Sequence, residues 1–239
     1  MSVITFASSK GGAGKTTSAI VLGTILGRNH KITLIDADPA QRLMSWAGKA
    51  ALPERIKVVK TRGERFIQDE ILEAKASCDF VLVDLEGAAT RLNAYAMGES
   101  DLVIIPMGDE QQDAEGAIET LAQLGMEARA MRREIPVRIL FCRTQAAVKS
   151  RLARSLNAQV RDKVGAFQTE LHARTVFSSL HNLGGTLYDM NPSEVTGVAK
   201  AIGNAELFAE ELRHVLGWAE TIKGWSRKAQ AKKELNHGS

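Results

Sequence analysis

The stretch Ser8–Thr17 reads SSKGGAGKTT and holds the residue types that grip a phosphate chain. Gly11, Gly12 and Gly14 let the backbone curl with its N–H groups turned inward, where they meet phosphate oxygens. Lys15 has the reach for β- and γ-phosphates, and the Thr16 hydroxyl is the type of oxygen that ligates Mg²⁺ beside them. A β-branched run precedes the loop and a helical pattern follows it, which is the context a P-loop requires, and the helix N-terminus adds a favourable dipole. Gly11, Gly12, Ala13, Gly14, Lys15, Thr16 and Thr17 therefore form a candidate nucleotide cradle. Ser9 stands where the common P-loop pattern has glycine. Lys10, at the loop's start, is a second lysine that a single phosphate cradle does not need.

Carboxylates stand at the ends of two further apolar runs, LIDADPAQ and FVLVDLEG. Asp36 and Asp38 close the first, and Asp84 closes the second. One aspartate after a strand is explained equally well as a turn or cap residue. Three of them at strand ends beside a phosphate loop point to metal ligation and water activation.

These residues need a scaffold that brings strand ends together. Val3 to Ala7, Ile32 to Ile35, Phe80 to Val83, Leu102 to Pro106 and Val137 to Cys142 read as buried strands, because their apolar runs lack polar alternation. Helix-length segments separate them, beginning with Thr16 to Arg28. The pattern predicts an α/β fold, with a doubly wound, mostly parallel sheet and helices on both faces. The composition shifts at Gly217, which divides a domain over 1–216 from a basic helix or tail over 217–239.

KGGxGKT with a leading lysine resembles the deviant Walker A motif of the ParA/MinD family of P-loop ATPases. That resemblance implies ATP and Mg²⁺ as cofactors and an ATP-dependent homodimer, in which Lys10 crosses to the partner's nucleotide and neutralises phosphate charge in trans. It implies that Lys15 and Lys10 serve catalysis with Asp38, which orients or deprotonates the attacking water. Asp36 and Asp84 would support the metal with Thr16. The DADPAQ segment is similar to the family's DxDPQ, with Ala40 standing before Gln41. SDLVIIP and DEQQDAEGA are similar to the family's next strand and to a loop and helix that cover the nucleotide and contact the other subunit. ILFCRT places Arg143 and Thr144 where the family's adenine-edge contacts arise. TELHARTVFSSLHNLGGTL resembles a segment of small plasmid-partition ATPases and puts Arg174 in a basic, DNA-contacting role. The absence of an N-terminal helix-turn-helix extension matches the short ParF-like type. The Leu85-Glu86-Gly87 sequence after Asp84, where many relatives have Thr-Pro-Pro, is also similar to ParA-like accessory ATPases of conjugative DNA transfer.

The leading expectation is a DNA-partition or DNA-positioning ATPase: cytoplasmic, associated with the nucleoid when ATP-bound, and reset by slow hydrolysis. A centromere-binding or DNA-processing adaptor would stimulate that hydrolysis. A net charge of +3 over 239 residues supplies little general attraction for nucleic acid, so a local cluster must provide it. On the helix predicted from Lys149 to Lys163, Arg151, Arg154 and Arg161 recur at helical spacing opposite Leu152, Leu156 and Val160, and form a stripe suited to non-specific phosphate contacts. A MinD-like membrane anchor is the competing expectation. Trp218, Ile222 and Trp225 share a face before Lys223, Arg227, Lys228, Lys232 and Lys233, but the stripe is short and favours docking with a basic tail over membrane insertion. An iron–sulfur enzyme of the same superfamily needs paired, exposed cysteines. Cys78 and Cys142 lie far apart in apolar surroundings and read as buried, reduced thiols.

Overall fold

A computed structural model of the chain describes residues 1–145 and 151–217, with the backbone alone for 151–153. In chain order the elements are β1 (Ser2–Phe6), α1 (Lys15–Leu26), β2 (Ile32–Ala37), α2 (Arg42–Ala47), β3 (Ile56–Lys60), α3 (Ile67–Ser77), β4 (Phe80–Leu85), α4 (Arg91–Gly98), β5 (Leu102–Met107), α5 (Gln111–Ala130), β6 (Val137–Thr144), α6 (Arg151–Lys163), β7 (Leu171–His172), α7 (Thr175–Leu183) and α8 (Val198–Val215). The strands form one sheet in the order β3-β2-β4-β1-β5-β6-β7, and every pairing is parallel. The doubly wound fold expected from the apolar runs is thus present. Two strands lie beyond those expected. β3 pairs only with β2, and its lysines Lys57 and Lys60 suit an exposed edge. β7 is two residues long and leaves no periodic signal.

Alternating side chains along each strand feed two cores, which is why the strand runs are apolar throughout. Ile4, Phe6, Leu34, Phe80, Leu82 and Ile104 face α1, α2, α7 and α8 on one side. Val3, Ile35, Val81, Val83, Val103 and Ile105 face α3, α4 and α5 on the other. β1 is flanked by β4 and β5, so the loop after β1 emerges beside the carboxyl ends of both neighbours. Parallel register sets Phe6 opposite Asp84 and Asp36 opposite Asp84, which brings the aspartates of β2 and β4 to the same end of the sheet as the phosphate loop. No helix among the described residues is long and apolar enough to cross a membrane. Trp218, Ile222, Trp225 and the basic tail lie outside the described residues.

Candidate functional site

The loop between β1 and α1 is closed by Gly12 at φ 75° and Gly14 at φ 105°, left-handed values that side chains rarely adopt. Gly14 also caps α1, so Lys15 and Thr16 start the helix with their side chains buried at the loop. The Lys15 ammonium lies 3.4 Å from the Ser8 carbonyl oxygen and 3.5 Å from that of Lys10, spanning the loop from within. Burial lowers its pKa; the charges of Asp84 and Asp38 oppose that shift, and Arg42 adds to it. The Thr16 hydroxyl donates to Asp84 Oδ2 at 2.7 Å. Burial pushes the Asp84 carboxyl up to about 7, against the Thr16 bond. Asp84 Oδ1 is buried with no hydrogen-bond partner. An orphaned carboxylate oxygen beside a P-loop hydroxyl fits Mg²⁺, which takes a few protein oxygens and completes its shell with phosphate and water.

Two cavities of about 520 Å³ each meet at this loop. The first is lined by Gly11 to Thr17 on one side and by Asp38, Arg42, Lys49 and His181 on the other. The second shares Gly12, Gly14 and Thr17 and continues past Cys142, Arg143, His172 and Phe177. Helix α7 lies between them: Thr175 and Phe177 face the second cavity, while His181 faces the first. His181 Nε2 is 2.8 Å from the Thr17 hydroxyl, and burial with the nearby Arg42 and Lys49 charges lowers its pKa. A phosphate cradle opening into a partly apolar cavity has the dimensions of a nucleotide site.

Several expected residues occupy places other than those their spacing suggests. Asp36 is buried and accepts from the backbone N–H of Asp38 at 3.2 Å and of Met44 at 2.9 Å. Both oxygens therefore help hold the β2–α2 turn, with the carboxylate set in register with Asp84. Asp38 lines the first cavity, and its Oδ1 accepts from the Ala40 N–H at 2.9 Å. Arg143 lines the second cavity, whereas Thr144 is buried, is paired with His172 Nδ1 at 2.9 Å and is not part of that lining. Arg174 also lines the second cavity, half-buried, with its Nε buried and unpartnered. Along α6, Arg154 is exposed. Arg161 is turned inward: it donates to the Phe167 carbonyl, pairs with Glu170 at 3.0 Å and stacks over Phe141 at 4.9 Å. The outward arginine stripe thus loses Arg161, and the Arg151 side chain and Lys149 lie outside the described residues.

Lys10 points away from the phosphate cradle and donates to Asp113 Oδ1 at 2.6 Å. Asp113 sits in the first turn of α5, is almost fully buried, and has Arg143 Nη2 at 3.6 Å from its other oxygen. Gly116 makes this approach possible, since a Cβ there would stand 3.2 Å from Lys10 Cβ. Ser9, the departure from the P-loop pattern, donates from its hydroxyl to the Gly116 carbonyl and from its backbone N–H to Thr120 Oγ1, which ties the loop to α5. Asp113 and Arg42 were not singled out by the sequence. The signal that would have found Asp113 is Gly116, one turn on, a glycine inside a helical pattern with a packing reason to be there.

The family model described as VirC1 protein matches residues 1–217. The protein named ParA of Rhizobium radiobacter is 37% identical over 213 residues, covering 87% of this chain and 95% of that protein. The protein virC1 of the same organism is 27% identical over 193 residues, covering 77% of this chain and 82% of its own length. Among solved structures, a putative plasmid partition protein from Borrelia burgdorferi B31 bound to AMPPNP superposes with a TM-score of 0.65 at 19% identity, over 88% of this chain and 99% of that chain. That last match is a likeness of fold.

Proposed function

The chain belongs to the VirC1 protein family, within the ParA/MinD class of P-loop ATPases, and from that membership we propose that it is a nucleotide-switched DNA-partition ATPase. ATP binds with its phosphates on the Gly11–Thr17 loop and its base toward Arg143, between α7 and the end of β6. Lys15 and the loop amides hold the β- and γ-phosphates. Thr16 and Asp84 would hold Mg²⁺, which would supply neutralisation of phosphate charge. Asp38 orients the attacking water and takes its proton, as the bond from water oxygen to γ-phosphorus forms and the bond to the β–γ bridging oxygen breaks. Lys10 enters the partner subunit's site, and the resulting dimer binds DNA without sequence preference through the exposed face of α6. An adaptor protein at the DNA stimulates hydrolysis and resets the dimer.

The observation that carries this reading is the division of labour between two lysines. Lys15 lies buried within the cradle, whereas the Lys10 ammonium is turned out of it. A cation excluded from its own phosphate site has a use at a neighbour's. The test is light scattering and nucleotide affinity for Lys10→Ala and Lys15→Ala with a non-hydrolysable ATP analogue. Lys15→Ala should lose binding outright. Lys10→Ala should bind the analogue as a monomer and fail to double in mass; a dimer with unchanged turnover would remove the trans role. The Leu85-Glu86-Gly87 sequence supports a second reading of the cargo, transferred DNA in place of a segregating plasmid.

A further inference from the structure

We propose that Arg42 is a second phosphate-binding cation acting in cis, contacting the γ-phosphate beside Lys15. This inference rests on the P-loop reading above and adds to it a residue outside every motif that carries that reading.

The placement of Arg42 begins with the turn after β2. Gln41 adopts φ 50° and ψ 44°, a left-handed conformation that a side chain other than glycine takes only when its surroundings impose it. They do so here. Asp36 accepts from Met44 and Asp38 on either side of the turn, the Gln41 N–H donates to the Asp38 carbonyl at 2.9 Å, and the Gln41 carbonyl accepts from Ser45 at 2.9 Å. The reversal at Gln41 starts α2 with Arg42 lining the same cavity as Lys15 and Asp38. Helix α2 is itself held. The buried Trp46 donates from Nε1 to the Gly185 carbonyl at 3.0 Å, and Lys49 donates to the His181 carbonyl. The wall that carries Arg42 is therefore anchored at its start and along its length.

The charges around the loop give Arg42 its task. The Lys15 ammonium lies in the fields of Asp84, Asp38 and Glu86, and Arg42 is the cation that acts on it from across the cavity. A polyphosphate entering this space meets Asp38 in the wall as well as Lys15, with Asp84 buried behind them. Lys10, which would offset them, is withdrawn onto Asp113. Lys49 shares the cavity but donates to the end of α7. Arg42 is exposed and, among the described residues, has no hydrogen bond or carboxylate partner. A guanidinium with its donors free, across a cavity from a phosphate loop, has the fork geometry for phosphate oxygens. Arg42 lines the same cavity as Asp38 and takes no part in lining the second cavity, past Arg143.

The experiment measures affinity for a non-hydrolysable ATP analogue and for ADP, each with Mg²⁺, in wild type, Arg42→Gln, Arg42→Lys and Lys15→Ala. Loss of a charge-assisted contact predicts about a 10-fold or greater weakening for the ATP analogue in Arg42→Gln. ADP should stay within about 2-fold, because it lacks the contacted group. Arg42→Lys should recover part of the loss as a point charge. Thermal unfolding should match wild type for both Arg42 variants, since the side chain is exposed. Wild-type preference for the ATP analogue over ADP in Arg42→Gln would overturn the proposal, and so would equal losses for the two nucleotides. If Lys15→Ala also binds both normally, the P-loop reading itself fails; if Lys15→Ala loses binding while Arg42→Gln is unchanged, only the role of Arg42 falls.

Discussion

Asp113→Asn should make ATP-dependent dimerisation easier. In the single chain Lys10 is not free to cross to a partner. Its ammonium lies 2.6 Å from a carboxylate that is 3% exposed, while its own side chain is 32% exposed. A hydrogen bond between charged groups contributes about 1.5–3 kcal/mol, and the exposure of the lysine argues for the lower end. A sandwich dimer must release two such lysines, so the pairing opposes assembly by about 3 kcal/mol, or roughly 100-fold in the dimer dissociation constant. Asparagine keeps the shape and one acceptor oxygen while removing the charge. Assembly with a non-hydrolysable ATP analogue should then occur at roughly 10- to 100-fold lower protein concentration. The loss of an acid from the first turn of α5 should lower fold stability by up to about 1 kcal/mol. Arg143, half exposed, can turn to water when its partner charge is gone. Sedimentation velocity over a concentration series, with analogue, with ADP and with no nucleotide, measures the effect. A dimer dissociation constant equal to or weaker than that of wild type would refute the reasoning. The double variant Lys10→Ala/Asp113→Asn closes the cycle: it should behave as Lys10→Ala alone, because the aspartate acts only through the lysine.

The other expectations concern the metal pocket and α6. Unfolded, the Asp84 carboxyl ionises near 3.8; folded, it ionises at about 7, so stability falls as pH rises between those values and the penalty is complete above pH 7. Without magnesium, Asp84→Asn should therefore melt above wild type at pH 8, with the gap closing toward pH 4; a gap that does not change with pH would assign the effect to packing. Arg154→Ala should weaken binding to unrelated DNA sequences alike and reduce the salt slope by about 1, as read from fluorescence anisotropy at several salt concentrations. Arg161→Ala should leave that slope unchanged and lower the melting temperature, because its guanidinium bonds to Phe167 and Glu170; the opposite pattern would return Arg161 to the DNA surface.

The phosphate loop was legible because its chemistry is local. Glycines that permit positive φ, a lysine and a threonine lie within ten residues of sequence between a strand and a helix, and the fold only has to present them. The parallel sheet was legible for a similar reason, since strands buried on both faces write themselves as apolar runs. Residues whose role depends on what packs over them were not legible. Helical spacing groups Arg154 with Arg161 but does not reveal that the Phe167–Glu170 segment folds back onto Arg161. A carboxylate at the end of β2 does not announce that its oxygens also accept from the N–H groups of the following turn, as those of Asp36 do. Arg143 and Thr144 are neighbours at the end of β6, where successive side chains part. Arg143, at φ 57°, turns toward the cavity, and Thr144 turns into the polar contact with His172.

The same tertiary contacts converge on the start of α5. Ser9 is bonded to Gly116 and Thr120, Lys10 to Asp113, and Arg143 approaches Asp113 from the second cavity. Just before the helix, Asp109 accepts from Asn157 Nδ2 of α6 at 2.9 Å. One short segment therefore touches the lysine proposed to cross, the wall of the second cavity and the helix that carries the exposed arginine. Adjacency of this kind becomes coupling only if the segment has two arrangements that both sites bias. The bond from Lys10 to Asp113 supplies the candidate for the second arrangement, since it must break for the lysine to leave. If breaking it moves the start of α5, then Asn157→Ala, which cuts the link to α6, should leave ATP-dependent dimerisation intact and remove the dependence of DNA affinity on nucleotide. Such a separation of assembly from DNA binding would place the link in the contact between Asp109 and Asn157, and retention of the dependence would place it in the dimer's doubled binding surface alone.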